Sequence, residues 1–235
     1  MVRYDWMAGP VNVNLAAGTA TGAGVSDTLA TVEAVIGTAA SDTIEGGAED
    51  NYFQAGLGDD ALGSGGDDTI ASGDGRDTID GGAGVDLVDF GATAGAVFVD
   101  LAAGIESRTG TVLTTMEAAI GSNFADGLRG DAANNWLYGG TGNDTLEGRG
   151  GSDSLLGAEG ADTIVYGAGD GYDAIFGFES GIDVIDASAY SADPNFAPVV
   201  FEYGSDLVIA FGGGDNLYLV GESLATFDVR TDLRL

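Results

Sequence analysis

From Gly37 onward the chain counts in nines. It reads GTAASDTIE (37–45), GGAEDNYFQ (46–54) and AGLGDDALG (55–63), then a shortened SGGDDTIA (64–71), SGDGRDTID (72–80) and GGAGVDLVD (81–89). A second array runs over 121–165 as GSNFADGLR, GDAANNWLY, GGTGNDTLE, GRGGSDSLL and GAEGADTIV. The shared form is G-G-x-G-x-D-x-U-x, with U a large apolar residue. A short fixed period marks a stacked repeat, in which each unit buries its apolar face only against its neighbours. Both arrays lie in a larger duplication. Residues 11–18 (VNVNLAAG) return as 97–104 (VFVDLAAG), and 32–37 (VEAVIG) as 116–121 (MEAAIG), an offset of 84 residues from Asp42 to Asp126.

Glycine at positions 1, 2 and 4 lets the backbone turn sharply at positive φ and aim successive carbonyl oxygens at one point. Asp at position 6 adds a carboxylate where the turn ends. Positions 7 to 9 have the length of a short strand, and alternation points position 8 inward. That row reads Ile44, Phe53, Leu62, Ile70, Ile79 and Val88, then Leu128, Leu137, Leu146, Leu155 and Ile164, all apolar as a stacked core demands.

If two nonapeptides close one coil, acidic residues two blocks apart stack about 4.8 Å from each other. One edge then carries Asp42, Asp60 and Asp77, and the other Asn51, Asp68 and Asp86. The second array gives Asp126, Asp144 and Asp162 on one edge, Asn135 and Asp153 on the other. Unneutralised, neighbouring carboxylates repel by on the order of 1–3 kcal/mol each. Carboxylates and carbonyls between stacked turns make a hard, all-oxygen site that suits Ca²⁺; Mg²⁺ wants a smaller octahedral cage. Zn²⁺ wants the His and Cys that the chain lacks. The candidate metal residues are Asp42, Gly56, Gly58, Asp60, Gly65, Gly66, Asp68, Gly73, Gly75, Asp77, Gly82, Gly84 and Asp86 in the first array. In the second they are Asp126, Gly140, Gly142, Asp144, Gly151, Asp153, Gly160 and Asp162. The EF-hand pattern D-x-[DN]-x-[DN]-G is absent.

These blocks resemble the repeats-in-toxin (haemolysin-type) calcium-binding family. The resemblance implies an all-β, right-handed parallel β-roll that holds several Ca²⁺ ions between its turns. Thr38, Ala40, Glu49, Phe124, Asp131 and Ala133 depart from the glycine pattern, so the opening blocks of each array are expected to be caps with weak or missing sites. Arg149 and Ala158 are milder departures at position 2. Downstream, the stretches 173–178 (DAIFGF) and 183–188 (DVIDAS) resemble the C-terminal part of serralysin-like secreted proteins, which implies an uncleaved C-terminal signal read by type I secretion machinery. The expected organisation is an N-terminal strand and connecting segment (1–36), the first array (37–90), a duplicated strand and connecting segment (91–120), the second array (121–165), and a β-rich cap and export region (166–235). Gly212–Asp215 is the expected hairpin turn within that cap.

Composition narrows the function. Thirty-eight acidic residues face seven basic ones, all arginine, for a formal net charge of −31. With no Lys/Arg cluster, nucleic acid is excluded as a partner, and no apolar run approaches the roughly 20 residues of a membrane span. The absence of His and Cys rules out Ser-His-Asp, Cys-His and H-E-x-x-H chemistry. No basic region followed by an apolar stretch opens the chain, so a cleavable signal is not expected. The chain therefore reads as a secreted, extracellular bacterial β-roll that folds on binding Ca²⁺ and has a non-enzymatic, structural role. Its alternative is the repeat and secretion module of a larger exoenzyme or adhesin. An ice- or surface-binding solenoid ranks last, because the outward row Thr43, Tyr52, Ala61, Thr69, Thr78, Leu87 is not uniform.

Overall fold

Glycine-rich turns joined to three-residue apolar strands force a coil, and a coil is what the chain forms. A computed structural model describes residues 1–22, 24–192 and 196–235. Residues 193–195, within the expected cap, and residue 23 lie outside the described set. Among the described residues the regular structure is all β apart from one 3₁₀ turn, Ser188–Ala192. The chain divides into two compact units, 1–94 with 103–120, and 95–102 with 121–235.

In the first unit successive strands alternate between two sheets. One sheet orders Val2–Arg3, Ala34–Ile36, Tyr52–Leu57, Thr69–Asp74, Leu87–Asp89 and Ala118–Ile120, all parallel. The other orders Thr111–Thr114, Thr78–Asp80, Ala61–Gly63, Thr43–Glu45 and Asn12–Asn14, also parallel. An antiparallel edge of Thr19–Gly22 and Val25–Thr28 follows. Registers place Ile44 beside Leu62 and Leu62 beside Ile79, and likewise Phe53, Ile70 and Val88. These six side chains are at most 4% exposed. The one-residue deletion in 64–71 is absorbed by a shift from 18 to 17 residues between paired positions, as in Gly56 beside Gly73.

The second unit repeats the plan. Phe98–Asp100, Gly127–Arg129, Thr145–Glu147, Thr163–Val165, Val184–Asp186 and Leu233–Arg234 form one parallel sheet. Trp136–Thr141, Ser154–Glu159, Tyr172–Phe176 and Asp215–Val220 form the parallel part of the other. Asp206–Gly212 and Val199–Tyr203 add antiparallel strands at its edge, with the hairpin at 212–215. Stacking thus continues past Val165. Ile175 sits beside Leu155 and Ile185 beside Ile164, both 0–1% exposed, so the apolar row carries on although the nine-residue count has lapsed. Beyond it, Phe211 packs against Tyr166 and Tyr190 at 4.9 Å between ring centroids. This is a parallel β-roll.

Candidate metal centre

Each strand ends one turn and begins the next, so the residue before it is held at the coil's edge. The candidate acids occupy those places and form ladders. In the first unit the backbone N–H of Asp42 donates to Oδ1 of Asp60 at 2.7 Å, and that of Asp60 to Oδ1 of Asp77 at 3.0 Å. On the other edge the N–H of Asn51 donates to Asp68 and that of Asp68 to Asp86, at 2.7 and 2.9 Å. In the second unit the ladders run Asp126, Asp144, Asp162 and Asn135, Asp153 in the same manner. Two further acids extend them: the N–H of Asp153 donates to Asp173, and that of Asp162 to Asp183, both at 2.9 Å. Sequence reasoning placed Asp173 and Asp183 in the export region. Their signal was an Asp two residues before a buried isoleucine, at spacings of 20 and 21 instead of 18.

Only one carboxylate oxygen is used up this way. Oδ2 of Asp60, Asp68, Asp77, Asp86, Asp144, Asp153, Asp162 and Asp173 is buried with no hydrogen-bond partner among the described residues. Leaving a buried polar atom unpaired costs about 1–3 kcal/mol, more for a charged group. Burial, with like-charged neighbours adding to it, pushes Asp60 up to about 7 and Asp173 to about 8. The same cause raises Asp86, Asp144 and Asp153 to about 6, and moves Asp77 and Asp162 in the same direction. In each of these seven the backbone N–H from the preceding coil pulls the other way and loses.

Carbonyls complete the lining. Gly56, Gly58, Gly66, Gly73, Gly75, Gly82, Gly84, Gly140, Gly142, Gly151 and Gly160 all take positive φ; Gly65, in the shortened block, does not. A Cβ on Gly160 would overlap the carbonyl oxygen of Gly142 in the coil before it, and one on Gly75 that of Gly58. Glycine is required there because a carbonyl points across the gap. Among the described residues no three acidic side chains form a metal-binding group by themselves. A gap between two ladder acids instead offers two carboxylates and facing carbonyls, a donor set suited to a hard cation with high coordination number.

Asp42 and Asp126 differ. Oδ2 of Asp42 accepts the Thr38 N–H at 2.6 Å, and Oδ1 accepts the Thr38 hydroxyl and the Val11 N–H. Asp126 is satisfied the same way by the Ser122 N–H and hydroxyl and by Val97. Of the candidate acids, these two have no orphaned oxygen.

The profile of the RTX calcium-binding nonapeptide repeat matches residues 36–62, 62–94, 120–155, 129–164 and 138–173. The two arrays are RTX repeats. RTX nonapeptides bind Ca²⁺, so the cation implied by the oxygen cages is calcium, and the orphaned Asp oxygens fit it. RTX repeats are a structural calcium-binding module. Among solved structures, the extracellular lipase LipA from Serratia marcescens is 21% identical over 88% of this chain and 41% of the lipase, with a TM-score of 0.33. The AlgE6R3 subunit of the Azotobacter vinelandii mannuronan C5-epimerase is 24% identical over 47% of this chain and 78% of that subunit, with a TM-score of 0.21. This chain therefore spans less than half the length of the lipase. No curated protein matches it.

Proposed function

We propose that this protein is a secreted calcium-dependent β-roll whose role is structural and whose folding is coupled to calcium. Three cages within the arrays carry the reading: Asp60 with Asp77 and Asp68 with Asp86 in the first unit, and Asp144 with Asp162 in the second. In each, two buried carboxylates present an orphaned oxygen at neighbouring coils. Carbonyls at Gly56, Gly58, Ser64, Gly66 and Gly142, each facing the following coil, complete them. Bound calcium supplies positive charge and coordination that ties one coil to the next. The chain's residues do the rest: backbone N–H groups hold each Oδ1, glycines let the carbonyls approach, and the apolar row excludes water.

The single observation behind this is the set of buried oxygens without a hydrogen-bond donor. Burying them as carboxylates is unfavourable until a cation arrives, and binding linked to folding follows. Export through type I machinery is the companion proposal, supported by the 173–178 and 183–188 sequence forms. Far-UV circular dichroism of the full chain tests the core claim. The spectrum should be coil-like with chelator, remain so with excess Mg²⁺, and turn to β during Ca²⁺ titration. A β spectrum that chelator leaves unchanged would withdraw it.

A further inference from the structure

We infer that the peptide four residues before each ladder side chain decides whether that turn takes a cation. This rule adds a calcium site between Asp153 and Asp173, where the nonapeptide count is lost, and leaves Asp42 and Asp126 without metal. The inference rests on the calcium reading above and deepens it.

Fourteen turns sort into two kinds. In one kind the N–H four residues earlier points into the turn and donates to the side chain: Thr38 to Asp42, Gly47 to Asn51, Ser122 to Asp126, Asp131 to Asn135, Glu179 to Asp183 and Asp228 to Asp232. Those turns satisfy themselves. None of these six donors has positive φ. In the other kind the side chains are the eight acids with an orphaned Oδ2. Seven have a positive-φ residue four positions back: Gly56, Gly73, Gly82, Gly140, Arg149, Ala158 and Gly169. The eighth, Asp68, lies within the shortened block, where the Ser64 N–H is taken by the Asp80 carbonyl.

Arg149 at φ 66° and Ala158 at φ 77° make the point most sharply. Neither is a glycine, and a non-glycine residue keeps left-handed backbone only where its surroundings impose it. What is imposed is a peptide whose N–H faces away from the carboxylate. Gly169 shows where such an N–H goes: it donates to Asp215 at 3.0 Å, away from Asp173.

The Asp153–Asp173 gap shares the acid and backbone arrangement of the regular cages, although the Gly151 carbonyl also accepts the Tyr172 N–H at 3.3 Å. Asp173 is 1% exposed, its Oδ1 holds the Asp153 N–H, and its Oδ2 has no partner among the described residues. Gly169 and Gly171 take φ of 92° and 98°. A Cβ on Gly171 would overlap the carbonyl oxygen of Gly151, so that carbonyl also points across the gap. Twenty residues, not eighteen, connect the two acids. On the other edge the Asp183 turn is closed by the Glu179 N–H, so the row of open turns there ends at Asp162.

Calcium stoichiometry of the full chain, by equilibrium dialysis at saturating calcium, tests this. Asp173→Asn should bind one ion fewer than the wild type, and Asp126→Asn the same number. A loss can also come from misfolding, so the double variant Ser122→Gly/Phe124→Gly supplies a gain: opening the Asp126 turn should add one ion. An unchanged count in Asp173→Asn or in the double variant, or a loss in Asp126→Asn, overturns the rule. A wild type that binds no calcium would overturn the function proposed above, a different outcome from either.

Discussion

At the level of single residues the ladder acids behave as groups waiting for a positive charge. Their ordinary value is 3.8, and burial raises Asp60 to about 7 and Asp173 to about 8. Between 3.8 and those values the folded, metal-free chain holds protons that the unfolded chain has released. Its stability is therefore fully present below pH ~4 and is lost as pH rises through 6 to 8. Calcium-stripped protein, coil-like at neutral pH, should therefore gain β structure as the pH is lowered to 4.5; a far-UV spectrum no more ordered at pH 4.5 than at pH 8 would mean these acids are not buried as described. A second residue-scale prediction concerns Ala158. Left-handed backbone costs a non-glycine residue about 1–2 kcal/mol, so Ala158→Gly should raise the denaturant midpoint of the calcium-loaded protein. Arg149 is no equivalent, because its guanidinium also pairs with both oxygens of Asp100 at 2.7–2.9 Å.

At the level of the strand the period of nine was enough to name the interior. All eleven position-8 residues are buried, because alternation along even a three-residue strand decides which side chain faces in. Leu146 lies between Leu128 and Ile164 at 0% exposure. Leu146→Ala should destabilise the calcium-loaded protein by about 2–5 kcal/mol, whereas Thr145→Ala, one residue away and exposed, should change it by less than about 0.5 kcal/mol. Equal effects in denaturant unfolding would place the core elsewhere. The turns were less legible. Thr38, Ser122, Arg149 and Ala158 all stand where the pattern has glycine at position 2; from the sequence Thr38, Arg149 and Ala158 are set down as departures and Ser122 is not singled out. Thr38 and Ser122 close their turns with an N–H and a hydroxyl, while Arg149 and Ala158 are held at positive φ and leave theirs open. Peptide orientation depends on the coils above and below, which a position-by-position pattern does not contain. The continuation past Val165 was hidden for a related reason: spacings of 20 and 21 break the count, yet a loop can lengthen without moving the strand it returns to.

For the chain as a whole the deciding quantity is its formal charge of −31. Among the described residues six arginine–acid pairs are formed, most of them solvent-exposed, and pairs of that kind contribute little. Two accounts of how calcium would induce folding then compete. In one, any cation suffices because it screens the net charge; in the other, the eight orphaned oxygens must be ligated. They separate in concentrated monovalent salt. At 1 M the screening length falls to about 3 Å, shorter than the spacing of the ladder acids, so general repulsion is largely removed. Buried sites are screened far less, and Na⁺ leaves their oxygens short of a divalent ligand. In chelator with 1 M NaCl the chain should therefore stay expanded, with a radius of gyration near the roughly 50 Å of an unfolded chain this long. Millimolar Ca²⁺ at low salt should contract it sharply in small-angle X-ray scattering. Contraction by NaCl alone would show that net charge, and not the cages, governs folding. If instead only calcium contracts it, the same specificity makes the proposed export coherent: a chain kept unfolded where calcium is scarce acquires its coils once it meets the ion outside.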